Sequence, residues 1–328
     1  MDKLNQYADM LIEVGIGLLP KQNLLIYCDA AHAFFARLVM ERAYAAGAGD
    51  VSILWQGEQQ NNEYRGYRML WIYAVDPTLS PVDEPSPPPL PWTLACLPPV
   101  NTKLSWDEFY RACRLDNDNP TEHWKEHIKN LEQRADFLNK QNFRYIKFNN
   151  SLGTDITIEL PKDHVWITCL VKDKSNSFIA NIPTEEVFTA PLKTGANGIV
   201  YATMPMVYMG ELVDGFWLRF ENGKVVEYDA KRGKGLLDHI FNNHEGAKYL
   251  GELALVPHTS PLSQINKIWF ESSFDENVSS HLALGYAYPH CSKGGEGLNQ
   301  SSIHLDFMIG SACTEVFGID DNKTCTKL

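Results

Sequence analysis

The chain has 328 residues, 44% of them hydrophobic, and a formal net charge of −12. That length supports two domains whose cores need no disulfide staples. An acidic chain without a basic block gives no footing for nucleic acid, and no apolar run approaches the roughly 20 residues that span a bilayer. Cys28, Cys96, Cys113, Cys169, Cys291, Cys313 and Cys325 are odd in number and scattered, with no CxxC or zinc-finger spacing. They read as free thiols of a reducing compartment. The amino-terminal residues Met1-Asp2-Lys3-Leu4-Asn5 lack the apolar core of a signal peptide. The expectation is a cytoplasmic protein with no membrane or nucleic-acid partner.

Leu4, Tyr7, Ala8, Leu11 and Ile12 recur at helical spacing, and Gly15 and Gly17 end the pattern. Leu24–Cys28 reads as a buried strand. Asp29 would cap a helix over 30–46, and Val51–Trp55 reads as a second strand. Strand, helix and strand at this spacing predict a βαβ unit and a parallel sheet. No GxGxxG follows the first strand, which argues against a dinucleotide site.

Nine of the eighteen prolines fall between Pro77 and Pro99. Proline density of that kind predicts that 56–100 holds neither a helix nor a central strand. Regular pattern returns at Asn119, which with Glu122 resembles a capping box around Pro120. Trp124, Ile128, Leu131, Ala135 and Leu138 then form one apolar stripe. His123 and His127 share a face of this helix, but no glutamate follows His123 and their neighbours are charged, so they read as a solvated face. Beyond 142 the texture is strand-rich: 143–148, 156–160, 198–208 and 216–220. Asn222-Gly223 predicts a type I′ hairpin turn, and helices are expected near 234–242 and 275–284. The expected layout is an α/β class: an N-terminal α/β domain with a parallel sheet over 1–142, and a strand-rich α+β domain over 143–328.

The most telling stretch is Ile303-His304-Leu305-Asp306-Phe307. Alternate residues of a strand share a face, so His304 and Asp306 lie on one side and the apolar residues on the other. An imidazole nitrogen and a carboxylate oxygen presented together suit a divalent metal, although a buried ion pair would have the same pattern. Four other places could converge on them. Glu185 and Glu186 stand between Pro183 and Pro191. Glu252 opens the apolar run Leu253–Val256. His281 lies in the segment read as helical. Tyr286 and Tyr288 follow it. Each has a plainer reading, as a strand-end carboxylate, a hydrogen-bonded structural histidine or a core aromatic, and spacing does not show that they meet.

The segments IPTEEVFTAP, GELALVP, FDENVSSHLALG and HLDFMIG, in that order, resemble the thermophilic-type metalloaminopeptidases, the aminopeptidase T, S and II family. The stretches MDKLNQYADMLIEVGIGL and NPTEHWKEHIKNLEQRADFLN are similar to that family too, so the resemblance covers 1–55 and about 105–318. It implies an enzyme that removes N-terminal amino acids from peptides with a free N-terminus. It also implies a homodimer carrying two divalent ions per chain, zinc or cobalt, with manganese or magnesium as substitutes. The implied ligands are Glu186, Glu252, His281, His304 and Asp306. Glu185 would be the general base and Tyr288 an active-site hydrogen-bond donor. Another metal-dependent amide hydrolase, or an inactive relative kept for binding or dimerisation, are the alternatives. Three departures stand out: 56–104 is shortened and proline-rich, the connection 290–300 is short, and the last residues 320–328 fall short of the family's usual final strands.

Overall fold

In a computed structural model of the chain, residues 2–56, 69–75, 92–96, 105–172, 177–269 and 272–328 are described. The chain divides into two units, residues 1–130 with 169–184, and residues 131–168 with 185–328. The expected boundary at 142 therefore differs from this division, which falls inside a helix where the apolar stripe runs on unbroken.

The first unit begins with α1 (Asp2–Met10), continued by a wider turn over Leu11–Gly15. Tyr7, Ala8, Leu11 and Ile12 are buried, as their spacing predicts. The βαβ unit is also present: β1 (Asn23–Asp29), α2 (Ala33–Ala45) and β2 (Val51–Gln56), with β1 and β2 parallel. Asp29 Oδ1 accepts the Ala31 N–H at 2.8 Å and so caps the short 3₁₀ turn Ala30–His32 that leads into α2, whose own N-cap, His32, makes no side-chain cap bond. The sheet as a whole is mixed rather than parallel. β3 (Met69–Val75) pairs antiparallel with β1, and β4 (Trp92–Cys96) pairs antiparallel with β3. β1 and β2 are joined through α2, the helical crossover that a parallel neighbour needs.

β3 and β4 also correct the expectation for 56–100, because both are interior strands of this sheet. Neither contains a proline. In β3, Leu70, Ile72 and Ala74 are buried while Trp71 and Tyr73 are half-buried, the alternation of a paired strand. The nine prolines themselves lie outside the described residues. After α3 (Trp106–Ala112), α4 (Pro120–Gln141) starts where Asn119 Oδ1 accepts the Glu122 N–H at 3.4 Å. Its apolar stripe is buried throughout. His123 is exposed, but His127 is buried, with Nε2 2.8 Å from the Thr184 carbonyl oxygen and its ring edge-on to Trp124. His127 is thus a hydrogen-bonded structural residue and not part of a solvated face.

β5 (Tyr145–Asn149) and β6 (Asp155–Glu159) open the second unit. The chain then returns to the first unit for the hairpin β7 (Leu170–Lys172) and β8 (Ser177–Ile179), and for β9 (Asn181–Ile182), which pairs parallel with β4. The rest belongs to the second unit: β10 (Val187–Thr189), β11 (Ala196–Tyr201), β12 (Met206–Tyr208), β13 (Glu211–Val213), β14 (Trp217–Glu221) and β15 (Lys224–Asp229). Asn222 and Gly223 have φ of 48° and 81°, the two positive values of the predicted type I′ turn between β14 and β15. α5 (Lys234–Asn243), β16 (Leu250–Leu255), α6 (Pro261–Ile265), α7 (Ser272–Asp275), β17 (His281–Gly285), β18 (His304–Met308), β19 (Glu315–Ile319) and β20 (Cys325–Lys327) complete it.

Two antiparallel sheets organise this unit. One has seven strands in the order β15-β14-β11-β6-β5-β19-β20, and the other has four in the order β10-β16-β17-β18. The segment expected to be helical over 275–284 instead ends its short helical turns at Val278 and becomes β17. Every residue of β17 is buried, and a short strand buried on both faces has no periodicity to distinguish it from a helix. The six cysteines whose side chains are described are free thiols, and no helix among the described residues is long and apolar enough to cross a membrane.

Candidate metal centre

The four-stranded sheet collects the polar residues of its own apolar strands on one face. Glu252 pairs with Ala283, and Ala283 pairs with Asp306, so these three form a row across β16, β17 and β18. Directly opposed residues share a face, as do alternate residues along a strand. His281, Ala283, Gly285, His304, Asp306 and Glu252 therefore face one way. A bulge at Gly251 shifts the register just before Glu252, the kind of irregularity that re-aims a side chain. Ala283 and Gly285 put almost no volume among the four functional groups. Glu186 joins them from the residue before β10.

Two groups of ligand atoms result, Glu186 with Glu252 and His281, and Glu252 with His304 and Asp306; within each, the atoms lie within 4.8 Å of one another. Glu252 belongs to both because it divides its carboxylate. Oε1 lies 3.5 Å from His281 Nε2, and Oε2 lies 3.6 Å from His304 Nε2. Glu186 Oε2 approaches His281 Nε2 to 3.2 Å, and Asp306 Oδ1 approaches His304 Nε2 to 3.3 Å. The cluster is graded in exposure. The His281 side chain is 1% exposed and those of Glu186 and Glu252 6%, against 16% for Asp306 and 21% for His304. Access is therefore from the β18 side.

The imidazoles are oriented by the backbone. His281 Nδ1 lies 3.1 Å from the Ser279 carbonyl oxygen, and His304 Nδ1 lies 2.8 Å from that of Tyr286. A carbonyl oxygen only accepts, so each Nδ1 carries a proton and each Nε2 turns toward carboxylate oxygens. A neutral imidazole would then set a lone pair against lone pairs, which only a proton or a cation relieves. Carbonyl-anchored histidines with Nε2 directed inward are the usual arrangement of metal ligands. Three carboxylates and two imidazoles, mixing hard oxygen with borderline nitrogen donors, fit divalent ions such as zinc.

The charges respond to this crowding. Burial opposes the charge on His304, but Asp306 and Glu252 overcome it and raise its pKa to about 10. Burial likewise opposes charge on His281, yet Glu186, Glu252 and Asp306 hold its pKa well above the ordinary value. Burial, and then Glu186 against the pull of His281, raises the pKa of Glu252. Burial would raise Asp306 too, but His304 holds it below the usual carboxylate range.

Tyr288 lies beside the cluster, its ring centroid 5.2 Å from that of His304 and 6.2 Å from that of Phe188. Burial, and then Glu252 and Asp306, push its hydroxyl far above the ordinary tyrosine pKa, so it stays a neutral donor. Glu185 is buried but joins neither ligand group. Its backbone N–H donates to Asn277 Oδ1 at 2.7 Å, and its charge opposes the burial that lowers the pKa of Arg134. Tyr286 packs edge-on to Tyr288, and its carbonyl holds His304. Sequence reasoning passed over Glu276 and Asn277, although both lie inside the quoted FDENVSSHLALG segment. Burial, and then the charges of Glu186 and Asp306, push Glu276 well above the usual carboxylate range. Asn277 is wholly buried, and nothing local in Asp275-Glu276-Asn277-Val278-Ser279 set it apart from a polar surface stretch.

A sheet face bearing this donor set has the chemistry of a divalent-metal site. The chain matches the profile of the thermophilic metalloprotease family (M29) over residues 1–68 and 99–328, and it belongs to that family. It is 32% identical to aminopeptidase AmpS of Bacillus subtilis (strain 168), over 97% of this chain and 94% of that protein. It is 31% identical to aminopeptidase 2 of Geobacillus stearothermophilus over the same shares. Both alignments run to 388 positions against 328 residues here, so the relatives carry sequence that this chain lacks. Wild-type AmpT from Thermus thermophilus has the same fold, with a TM-score of 0.78 at 25% identity, covering 100% of this chain and 97% of that one. 2,5-Dihydroxypyridine dioxygenase from Pseudomonas putida KT2440 shares the fold alone, with a TM-score of 0.59 at 13% identity. The family profile passes over 69–98, the region that holds β3 and β4.

Proposed function

We propose that this metalloprotease-family chain is a dinuclear metalloaminopeptidase that releases N-terminal residues from peptides with a free amino terminus. The observation that carries the reading is the divided carboxylate of Glu252, with one oxygen toward His281 and the other toward His304. Glu186, Glu252 and His281 would hold one divalent ion, and Glu252, His304 and Asp306 the other, zinc or cobalt by preference and manganese or magnesium as substitutes. Two such ions supply a water acidified toward neutrality and a Lewis acid for the scissile carbonyl.

The chain's own residues do the rest. Glu185 accepts the water's proton and returns it to the departing amine. Tyr288, kept as a phenol by burial and by Glu252 and Asp306, donates a hydrogen bond to the oxygen that gains negative charge. Ala283 and Gly285 leave room above the sheet, and the more exposed His304 and Asp306 mark the side from which substrate enters. Homodimeric assembly and a cytoplasmic setting accompany this reading.

Metal analysis together with a panel of aminoacyl-4-nitroanilides tests it. The expected result is about two ions per chain and hydrolysis that requires them. An N-acetylated substrate should be left intact. A folded, metal-loaded protein that cleaves no aminoacyl substrate would overturn the reading. Light scattering tests the dimer, with a mass about twice that of one chain expected.

A further inference from the structure

Phe274-Asp275-Glu276-Asn277 leads into His281, and its polar residues have no part in the chemistry above. Asp275 serves the local fold, because its Oδ1 accepts the Trp269 N–H at 2.7 Å. Asn277 is different. It is 0% exposed, and both ends of its amide are engaged near the ligands. Oδ1 accepts the backbone N–H of Glu185 at 2.7 Å, and Nδ2 donates to Glu276 Oε1 at 3.4 Å. Ladder pairing of β10 with β16 begins at Val187, after the two glutamates. The residues that carry the base and a ligand thus come before the sheet takes hold, and a buried side chain anchors them there.

We propose that Asn277 is a positioning residue of the metal centre, fixing the Glu185–Glu186 backbone with its carbonyl oxygen and the Glu276 carboxylate with its amide nitrogen. Holding the Glu185 N–H sets where the Glu186 side chain leaves the backbone, and so how it meets His281. A misplacement of about an ångström at such a centre costs orders of magnitude in rate. The kinetic part of this inference rests on the aminopeptidase reading, whereas the metal-binding part does not.

The test uses the full chain stripped of metal, with Co2+ alone as the probe and the visible absorption of bound Co2+ as the signal. Asn277→Ala should keep the near-ultraviolet dichroism of the wild type. It should weaken Co2+ binding about 10- to 100-fold, the usual cost of losing a group that orients a ligand, and change the absorption of the bound ion. On an aminoacyl-4-nitroanilide, kcat should fall while KM stays nearly constant. Asn277→Asp keeps an acceptor for the Glu185 N–H but loses the donor to Glu276 and sets two carboxylates together, so it should recover only part of the Co2+ affinity. A folded Asn277→Ala with wild-type affinity and absorption would overturn the proposal. If Asn277→Ala does not fold, Asn277→Asp decides: a folded variant with weakened Co2+ binding and altered absorption supports the proposal, and one with wild-type affinity and absorption overturns it. Wild-type protein that binds Co2+ but hydrolyses nothing would refute the aminopeptidase reading, and the cobalt titration would still decide the role of Asn277.

Discussion

Gly285 stands directly across the ladder from His304, and the backbones there approach too closely for a side chain. A Cβ on Gly285 would meet the Ile303 carbonyl oxygen at 2.1 Å, and the residue's φ of +107° already lies outside the range that other residues favour. Gly285→Ala should therefore destabilise the fold by about 1–3 kcal/mol and displace His304. A lowered melting temperature together with reduced metal content would show it. An unchanged melt would mean that β17 and β18 can part without penalty.

The divided carboxylate gives an asymmetric prediction for ligand removal. Glu252→Ala deletes an oxygen from both groups and should abolish binding of both ions. His304→Ala touches only one group and should leave about one ion per chain, held by Glu186, Glu252 and His281. Elemental analysis of the two purified variants distinguishes these outcomes. Equal losses would contradict a shared Glu252.

Protons and metal compete for this cluster. In the metal-free protein the raised pKa of His304, about 10 against 6.5 for the free side chain, stabilises the fold. The sign follows from the direction of the shift. The contribution is full below about 6.5 and is lost as the pH rises toward about 10, when the folded protein gives up the extra proton. Urea unfolding of the metal-free chain should show that decline. Metal must displace the proton, so zinc binding should release protons and weaken as the pH falls. Calorimetry in buffers of different ionisation enthalpy measures the release.

Glu185 is separate from the ligand groups, so its role can be isolated. Glu185→Gln should retain the metal content of the wild type and lose about 10²- to 10⁴-fold in kcat, the range for a general base. Loss of metal in this variant would instead make Glu185 a ligand.

The strength of the sequence signal varied with the physics behind it. His304 and Asp306 were readable because a strand displays alternate residues together and the remaining positions were apolar. His281 was readable as a residue but not as part of a strand, since Leu282, Ala283, Leu284 and Gly285 are buried on both faces and give no period. β3 was present in its alternation of Leu70, Ile72 and Ala74 with Trp71 and Tyr73, but prolines that lie outside the strand concealed it. No local pattern could have joined Asn277 to Glu185, because that hydrogen bond spans 92 positions and depends on how the sheet is assembled. The pairing of Glu252 with both histidines was hidden for the same reason.

β18 ends the order of its sheet, so one side of the strand that bears His304 and Asp306 has no ladder partner among the described residues. His281, by contrast, is on β17, paired on both sides. Strands at an edge open more readily than those enclosed on both sides. If the centre is dinuclear as proposed, a chelator should accordingly strip the protein in two kinetic phases, with the ion proposed for Glu252, His304 and Asp306 leaving first. A half-loaded species would then accumulate, so that activity decays ahead of total metal.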